Sequence, residues 1–216
     1  MSEHHHDHLN ATHTHDGKPI QNDEPPSIEA ESLETAVREL LMEKGVITAD
    51  ELRGAIEAQE QRRPELGAKI IARAWVDEDF KQKLLSHGDM AVRSFGVDMK
   101  PTELCVVENT EEVHNLVVCT LCSCYPRAIL GIPPAWYKRR DYRSRAVREP
   151  RSVLSEFGTI ISEDRQVRVH DSNADLRYLV LPIRPSGTDD WSEEDLAELV
   201  TRDSMIGVAE AITPDG

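Results

Sequence analysis

Long apolar runs are missing from this sequence: nowhere do about 18 hydrophobic residues follow one another, as a membrane-crossing helix requires. The opening residues, MSEHHHDHLN, contain no apolar core of the kind a secretory signal needs, so a cytoplasmic location is expected. Basic residues are also short, with 25 Lys and Arg against 40 Asp and Glu and a net charge of −15. Binding a phosphate backbone relies on clustered cations, so this balance argues against nucleic acid as a partner. Cysteine is scarce too, four in 216 residues. In a reducing compartment so few thiols are read as metal ligands, catalytic groups or buried packing rather than as a disulfide framework.

What is present divides the chain into three. Residues 1–27 hold six of the nine histidines (His4, His5, His6, His8, His13, His15) and almost nothing apolar. Such a segment cannot bury enough surface to offset chain entropy, so a disordered tail is expected, either solubilising or able to collect a divalent metal. Residues 28–97 have helical periodicity, with Leu33, Val37, Leu40 and Leu41 on one face and Gly45 as a left-handed cap. Thr48 and Glu51 form a capping box for a second helix. Its apolar stripe, Leu52, Ala55 and Ile56, is too thin for a core element, so it is expected to pack on another chain. Helices follow around Leu66–Trp75 and after Asp77, ending near Gly96. From residue 98 to 212 the period changes. ELCVVEN, HNLVVCTL, RQVRVHD and LRYLVLPIRP read as strands, and a helical stretch follows Pro133 and Pro134 with a break at Pro150. A last helix opens at Ser192 as N-cap. Helices first and mixed elements afterwards make an α+β chain, without an internal repeat.

The densest chemical signal is VVCTLCSCYPRAILG, where Cys119, Cys122 and Cys124 fall within six residues. Their spacing fits part of a structural zinc site completed by Cys105, His114 or His170, an iron–sulfur cluster, or buried unliganded thiols. It also fits a fourth arrangement. If the sulfurs of Cys122 and Cys124 share a metal, the amide nitrogens of Ser123 and Cys124 close chelate rings of six, five and five atoms between them. Cys119 then folds under as an axial thiolate and the opposite face stays open. Three thiolates and two deprotonated amides carry a charge that favours a trivalent ion, and an open position on such an ion makes a Lewis acid.

VCTLCSCYP resembles the metal-binding signature of nitrile hydratase alpha subunits. The similarity extends through LGAKIIARAWVDEDFKQKLL, VVENTEEVHN, LGIPPAWYK, YRSRAVREPRSVLSEFG and LRYLVLPIRPSGTDDWSEEDLAELVTRDSMIGV, roughly Leu33 to Val208. The resemblance implies a helical arm followed by a layered α-β-β-α domain that hydrates nitriles to amides at non-corrin Co3+ or, alternatively, Fe3+. The implied ligands are the sulfurs of Cys119, Cys122 and Cys124 and the amide nitrogens of Ser123 and Cys124. In the family, the cysteine matching Cys122 is a sulfinate and that matching Cys124 a sulfenate, both on the oxidation ladder of metal-held thiolates. Thr120 stands where cobalt members have Thr and iron members Ser, so cobalt is expected. A homologous beta subunit, one chain or two smaller ones, supplies arginines to the oxidised sulfurs. This implies a heterotetramer of the α2β2 type, with an activator protein to deliver cobalt.

Three neighbours of the signature are candidates for a supporting role. Tyr125 can line the pocket or pack as a core aromatic, and Asp171 can orient the site or serve as a strand-end turn residue. Arg127 departs from the family: CYPRA replaces the common CYPWP, as in the gamma subunit of thiocyanate hydrolase and in toyocamycin nitrile hydratases. Lys100 is a second departure, falling where iron members place Gln. A larger or more polar nitrile, such as a heteroaromatic nucleoside, is therefore the expected substrate, with thiocyanate hydrolysis as the alternative activity. The KRRDYRSRAVREPR run resembles the family's inter-subunit surface, whereas its composition alone suits a solvated face.

Overall fold

The computed structural model describes residues 27–60 and 63–214, so the expected tail lies outside the described residues apart from Ser27. Helix α1 (Ile28–Glu43) starts where the Ser27 hydroxyl accepts from the Ala30 amide at 3.2 Å, and Gly45 takes φ 64° just past its end. Helix α2 (Ala49–Glu60) opens with the expected capping box. The Thr48 amide donates to Glu51 at 2.8 Å and the Glu51 amide to the Thr48 hydroxyl at 3.1 Å. The apolar stripe of α1 is left uncovered: Leu33 is 66% exposed and Leu40 48%, and α1 buries no residue at all.

Burial begins at α3 (Pro64–Val76), where Ile70 and Ile71 are fully enclosed. It continues through α4 (Glu78–Ser86), capped by the Asp77 carboxylate, and α5 (Gly88–Val92). Gly96, at φ 76°, ends a short 3-10 turn there, as expected. The four expected strands form: β1 (Glu103–Glu108), β2 (Val113–Val118), β3 (Gln166–Asp171) and β4 (Leu176–Leu181). They pair as two parallel ladders, β1 with β4 and β2 with β3. Parallel neighbours need long crossovers, and the β2–β3 crossover carries α6 (Arg127–Leu130), α7 (Ala135–Lys138), α8 (Arg140–Arg148) and α9 (Pro150–Glu156). Pro150 sits at the first position of α9, where its missing N–H is harmless.

Helices α4 and α5 pack on β1, α8 on β2 and α9 on β3, and β2 meets β4 in the middle. This is the α-β-β-α layering of the α+β expectation. The C-terminal segment divides where one helix was expected. After α10 (Glu193–Glu198), Thr201 and Ser204 form a second capping box that starts α11 (Arg202–Ile206). The Ser192 cap on α10 is as expected, its hydroxyl accepting from the Asp195 amide at 3.2 Å.

Beyond α11 the chain turns at Gly207, φ 84°, directly against β2. A Cβ there would lie 1.9 Å from the Asn115 carbonyl oxygen. The Gly207 carbonyl in turn accepts from Nε2 of fully buried His114 at 2.8 Å. His114 Nδ1 faces the Asn109 amide nitrogen at 3.5 Å, and Asn109 Oδ1 is committed to the Asn115 amides at 2.7 and 3.1 Å. The ring is therefore satisfied only when neutral. Burial depresses its pKa, and so does nearby Arg165, while Gly207 and Glu210 oppose the shift.

A depressed folded pKa means the unfolded chain binds the extra proton first. Stability should hold above about pH 6.5 and fall as pH drops through the folded value. Urea titrations at several pH values should show this fall, and it should flatten in His114→Asn. Gly207→Ala combines a left-handed backbone with a steric collision, so unfolding free energy should drop by at least about 2 kcal/mol in the same assay.

Candidate metal centre

Strand β2 ends at Val118, which pairs with Asp171, the last residue of β3. The next residues leave the sheet as a loop, and parallel pairing has already brought the Asp171 carboxylate beside it. That carboxylate accepts from the Thr120 amide at 2.9 Å and the Thr120 hydroxyl at 2.5 Å. Asp171 is thus both a strand-end residue and an anchor of the loop.

Within the loop the three sulfurs converge. Cys119 and Cys122 Sγ lie 3.5 Å apart and Cys122 and Cys124 Sγ 3.3 Å, with all three within 4.8 Å of one another. Cys119 is buried, Cys124 half-buried and Cys122 exposed. Backbone donors aim at the same point: the Cys122 amide reaches Cys119 Sγ at 3.2 Å, and the Ser123 and Cys124 amides face the Cys122 sulfur. Hydrogen bonds from Cys124, Cys119 and the Ser123 amide hold the Cys122 thiol below the usual thiol range. Burial, followed by its links to Cys122 and Cys119, pushes Cys124 up to about 12. Donors thus converge on the Cys122 sulfur, whereas charging all three crowded sulfurs needs a cation to offset them. Sulfurs at contact distance with amide nitrogens between them suit a thiophilic trivalent ion, so the residues present fit the expected metal.

No fourth Cys, His, Asp or Glu joins the triad among the described residues. Cys105 lies half-buried on β1 opposite Tyr178, and His170 Nε2 is engaged with Asn115 Oδ1 at 2.8 Å. His114 is committed to Gly207. Completion of a zinc tetrahedron by any of these is not supported by their positions.

Tyr125 lies under the loop, 2% exposed and edge-on to Tyr137 with ring centroids 5.1 Å apart, as a packed aromatic. Its hydroxyl is buried without a partner among the described residues, as is Arg143 Nε. Arg127 is exposed at the first position of α6, and Lys100 is exposed in the turn before β1. Two side-chain contacts to the loop were not expected from the sequence. The Tyr137 hydroxyl donates to the Cys124 carbonyl at 2.8 Å, and Arg143 Nη1 donates to the Cys122 carbonyl at 2.9 Å. Both residues sit in segments read as helical, and the burial of Tyr142, Arg145 and Ala146 at helical spacing shows that α8 is not simply a solvated face. That spacing was the available signal.

The fold and the loop together define a class: a mixed α+β chain that gathers three cysteine sulfurs in one short turn at the C-terminal ends of β2 and β3. Residues 28–209 match the model of the nitrile hydratase alpha chain, and the chain belongs to that family. It is 51% identical over 199 residues to the low-molecular weight cobalt-containing nitrile hydratase subunit alpha of Rhodococcus rhodochrous, covering 91% of this chain and 96% of that one. The thiocyanate hydrolase subunit gamma of Thiobacillus thioparus is 44% identical over 191 residues, covering 83% and 79%. Among solved structures, a mutant Fe-type nitrile hydratase from Comamonas testosteroni Ni1 superimposes with a TM-score of 0.83 at 42% identity, covering 88% of this chain and 94% of that one.

Cys119→Ala removes the buried member of the triad, and metal analysis of the purified variant should find the site empty. Retained cobalt with full turnover would refute the ligand assignment.

Proposed function

We propose that this chain is the metal-bearing alpha subunit of a cobalt nitrile hydratase. The observation that carries the reading is the convergence of three sulfurs and the Ser123 and Cys124 amides in one loop. The reaction adds water across the nitrile: its oxygen bonds to carbon and both protons end on nitrogen, giving the amide. A trivalent ion held by Cys119, Cys122, Ser123 and Cys124 supplies the Lewis acidity that makes the nitrile carbon electrophilic. Cobalt is favoured over iron by Thr120, whose hydroxyl is fixed by Asp171, and by the cobalt-containing relative.

In this reading Cys122 matures to the sulfinate and Cys124 to the sulfenate, which places Cys122, Ser123 and Cys124 at the reacting centre. Cys119 stays buried and unmodified as the ligand farthest from solvent. Tyr125 closes the floor of the site, Asp171 orients the loop through Thr120, and exposed Arg127 sets substrate preference at the rim. A heteroaromatic nitrile such as toyocamycin suits the Arg127 departure better than a small aliphatic one.

The uncovered apolar stripe of α1 and the thin one of α2 supply a surface for a beta subunit, one chain or two, in an assembly doubled around it. Residues 28–97 then form the partner-facing arm and helices, and residues 98–212 the metal-binding catalytic part. An activator protein for cobalt completes the set of partners, with the His-rich tail as an aid to delivery. No described helix is long and apolar enough to cross a membrane, which is compatible with the proposed cytoplasmic location.

A second reading, the gamma subunit of a thiocyanate hydrolase, is favoured by Arg127 and by the 44% identical relative. The two separate in one experiment. The cobalt-loaded complex with its natural partners is incubated with thiocyanate or with a nitrile panel, and products are identified by mass spectrometry. Amides heavier by one water establish the hydratase. Carbonyl sulfide and ammonia without amides establish the hydrolase.

A further inference from the structure

The Cys119–Cys124 loop lies outside regular secondary structure, yet two of its carbonyl oxygens are held by side chains from the following crossover. Arg143 on α8 takes the Cys122 carbonyl at 2.9 Å, and Tyr137 on α7 takes the Cys124 carbonyl at 2.8 Å. These are the oxygens on either side of Ser123. A trans peptide is planar, with its C=O and the following N–H pointing in opposite directions. Fixing the Cys122 carbonyl on one side therefore turns the Ser123 N–H to the other side. The Cys122 sulfur lies there, and the Ser123 amide faces it. Fixing the Cys124 carbonyl sets the far end of the same turn.

We propose that Arg143 and Tyr137 are positioning residues that hold the Cys122–Ser123–Cys124 backbone in its metal-ready shape, so that donors face one point before any ion arrives. The inference rests on the reading of this loop as the cobalt site. Both residues act from rigid positions. Tyr137 is fully buried and packed edge-on to Tyr125 and Trp136, while Arg143 is fixed in α8 next to fully buried Tyr142. Arg143 also carries a buried Nε without a partner among the described residues, so its guanidinium is held at the loop by the carbonyl contact. Preorganised outer contacts of this kind lower the reorganisation that metal binding demands.

Tyr142 offers an internal control. Its hydroxyl makes a comparable bond, 2.6 Å to the Val117 carbonyl, within the same aromatic cluster, but that carbonyl lies in β2 before the loop begins. The complex with its beta partner is stripped of metal and titrated with Co2+ for the wild type, Tyr137→Phe, Arg143→Gln and Tyr142→Phe. Affinity, the thiolate-to-cobalt absorption band and the thermal midpoint are recorded for each.

Tyr137→Phe and Arg143→Gln should each weaken cobalt binding by about 10- to 100-fold and shift the band, with Arg143→Lys partly restoring it. Tyr142→Phe should lower the thermal midpoint at least as much while leaving affinity and band unchanged. Equal cobalt affinity in all three variants would overturn the inference, as would losses that simply follow the fall in thermal midpoint. A wild-type complex that takes up no cobalt even with its activator protein present would sink the cobalt reading itself, and the inference with it.

Discussion

Mutual repulsion among crowded sulfurs is the constraint on which the rest of this structure turns. Three Sγ atoms lie within 4.8 Å of one another, and thiolates at that distance cannot all be charged without a cation between them. The chain meets the constraint with geometry. Parallel pairing of β2 with β3 delivers the Asp171 carboxylate to Thr120 at one end of the loop. The crossover returns Arg143 and Tyr137 to its middle and far end. The amides of Cys122, Ser123 and Cys124 all turn toward sulfur, so the loop resembles an anion-binding nest whose anions are its own side chains.

Much of this was legible in the sequence because it is local. The spacing of Cys119, Cys122 and Cys124 determines which chelate rings can close, whatever the surrounding fold. The Thr48–Glu51 box, the Ser192 cap and the β-branched strand runs likewise depend on residues a few positions apart. What escaped depends on tertiary placement. Tyr137 and Arg143 lie 13 and 21 residues beyond their acceptors, and only the packing of α7 and α8 decides where they reach. The division between α10 and α11 was missed because Thr201 and Ser204 cap each other while the surrounding pattern reads as continuously helical. Tyr125 was ambiguous from its neighbours, since an aromatic next to a site can face it or support it, and here it is enclosed.

The two ends of the chain contrast in how complete they are. From α3 onward most buried side chains share one core, with Ala72, Leu196 and Leu199 forming a small satellite beside α10, and the Gly207 turn locks against β2 so closely that no side chain fits. The α1 helix buries nothing, although its sequence repeats apolar residues with helical period. A stripe of that kind is stable only when covered, which is the physical argument for a partner. The same incompleteness recurs at the loop, where the Tyr125 hydroxyl and Arg143 Nε are buried with nothing to bond among the described residues.

The central claim is that one loop supplies both sulfur and backbone nitrogen to a single cobalt ion. X-ray absorption at the cobalt edge, on the complex purified with its partner, tests it most directly. The account predicts a trivalent edge and a first shell of three sulfur scatterers together with nitrogen or oxygen. Zinc in place of cobalt, or a tetrahedral shell without nitrogen from the backbone, would contradict it.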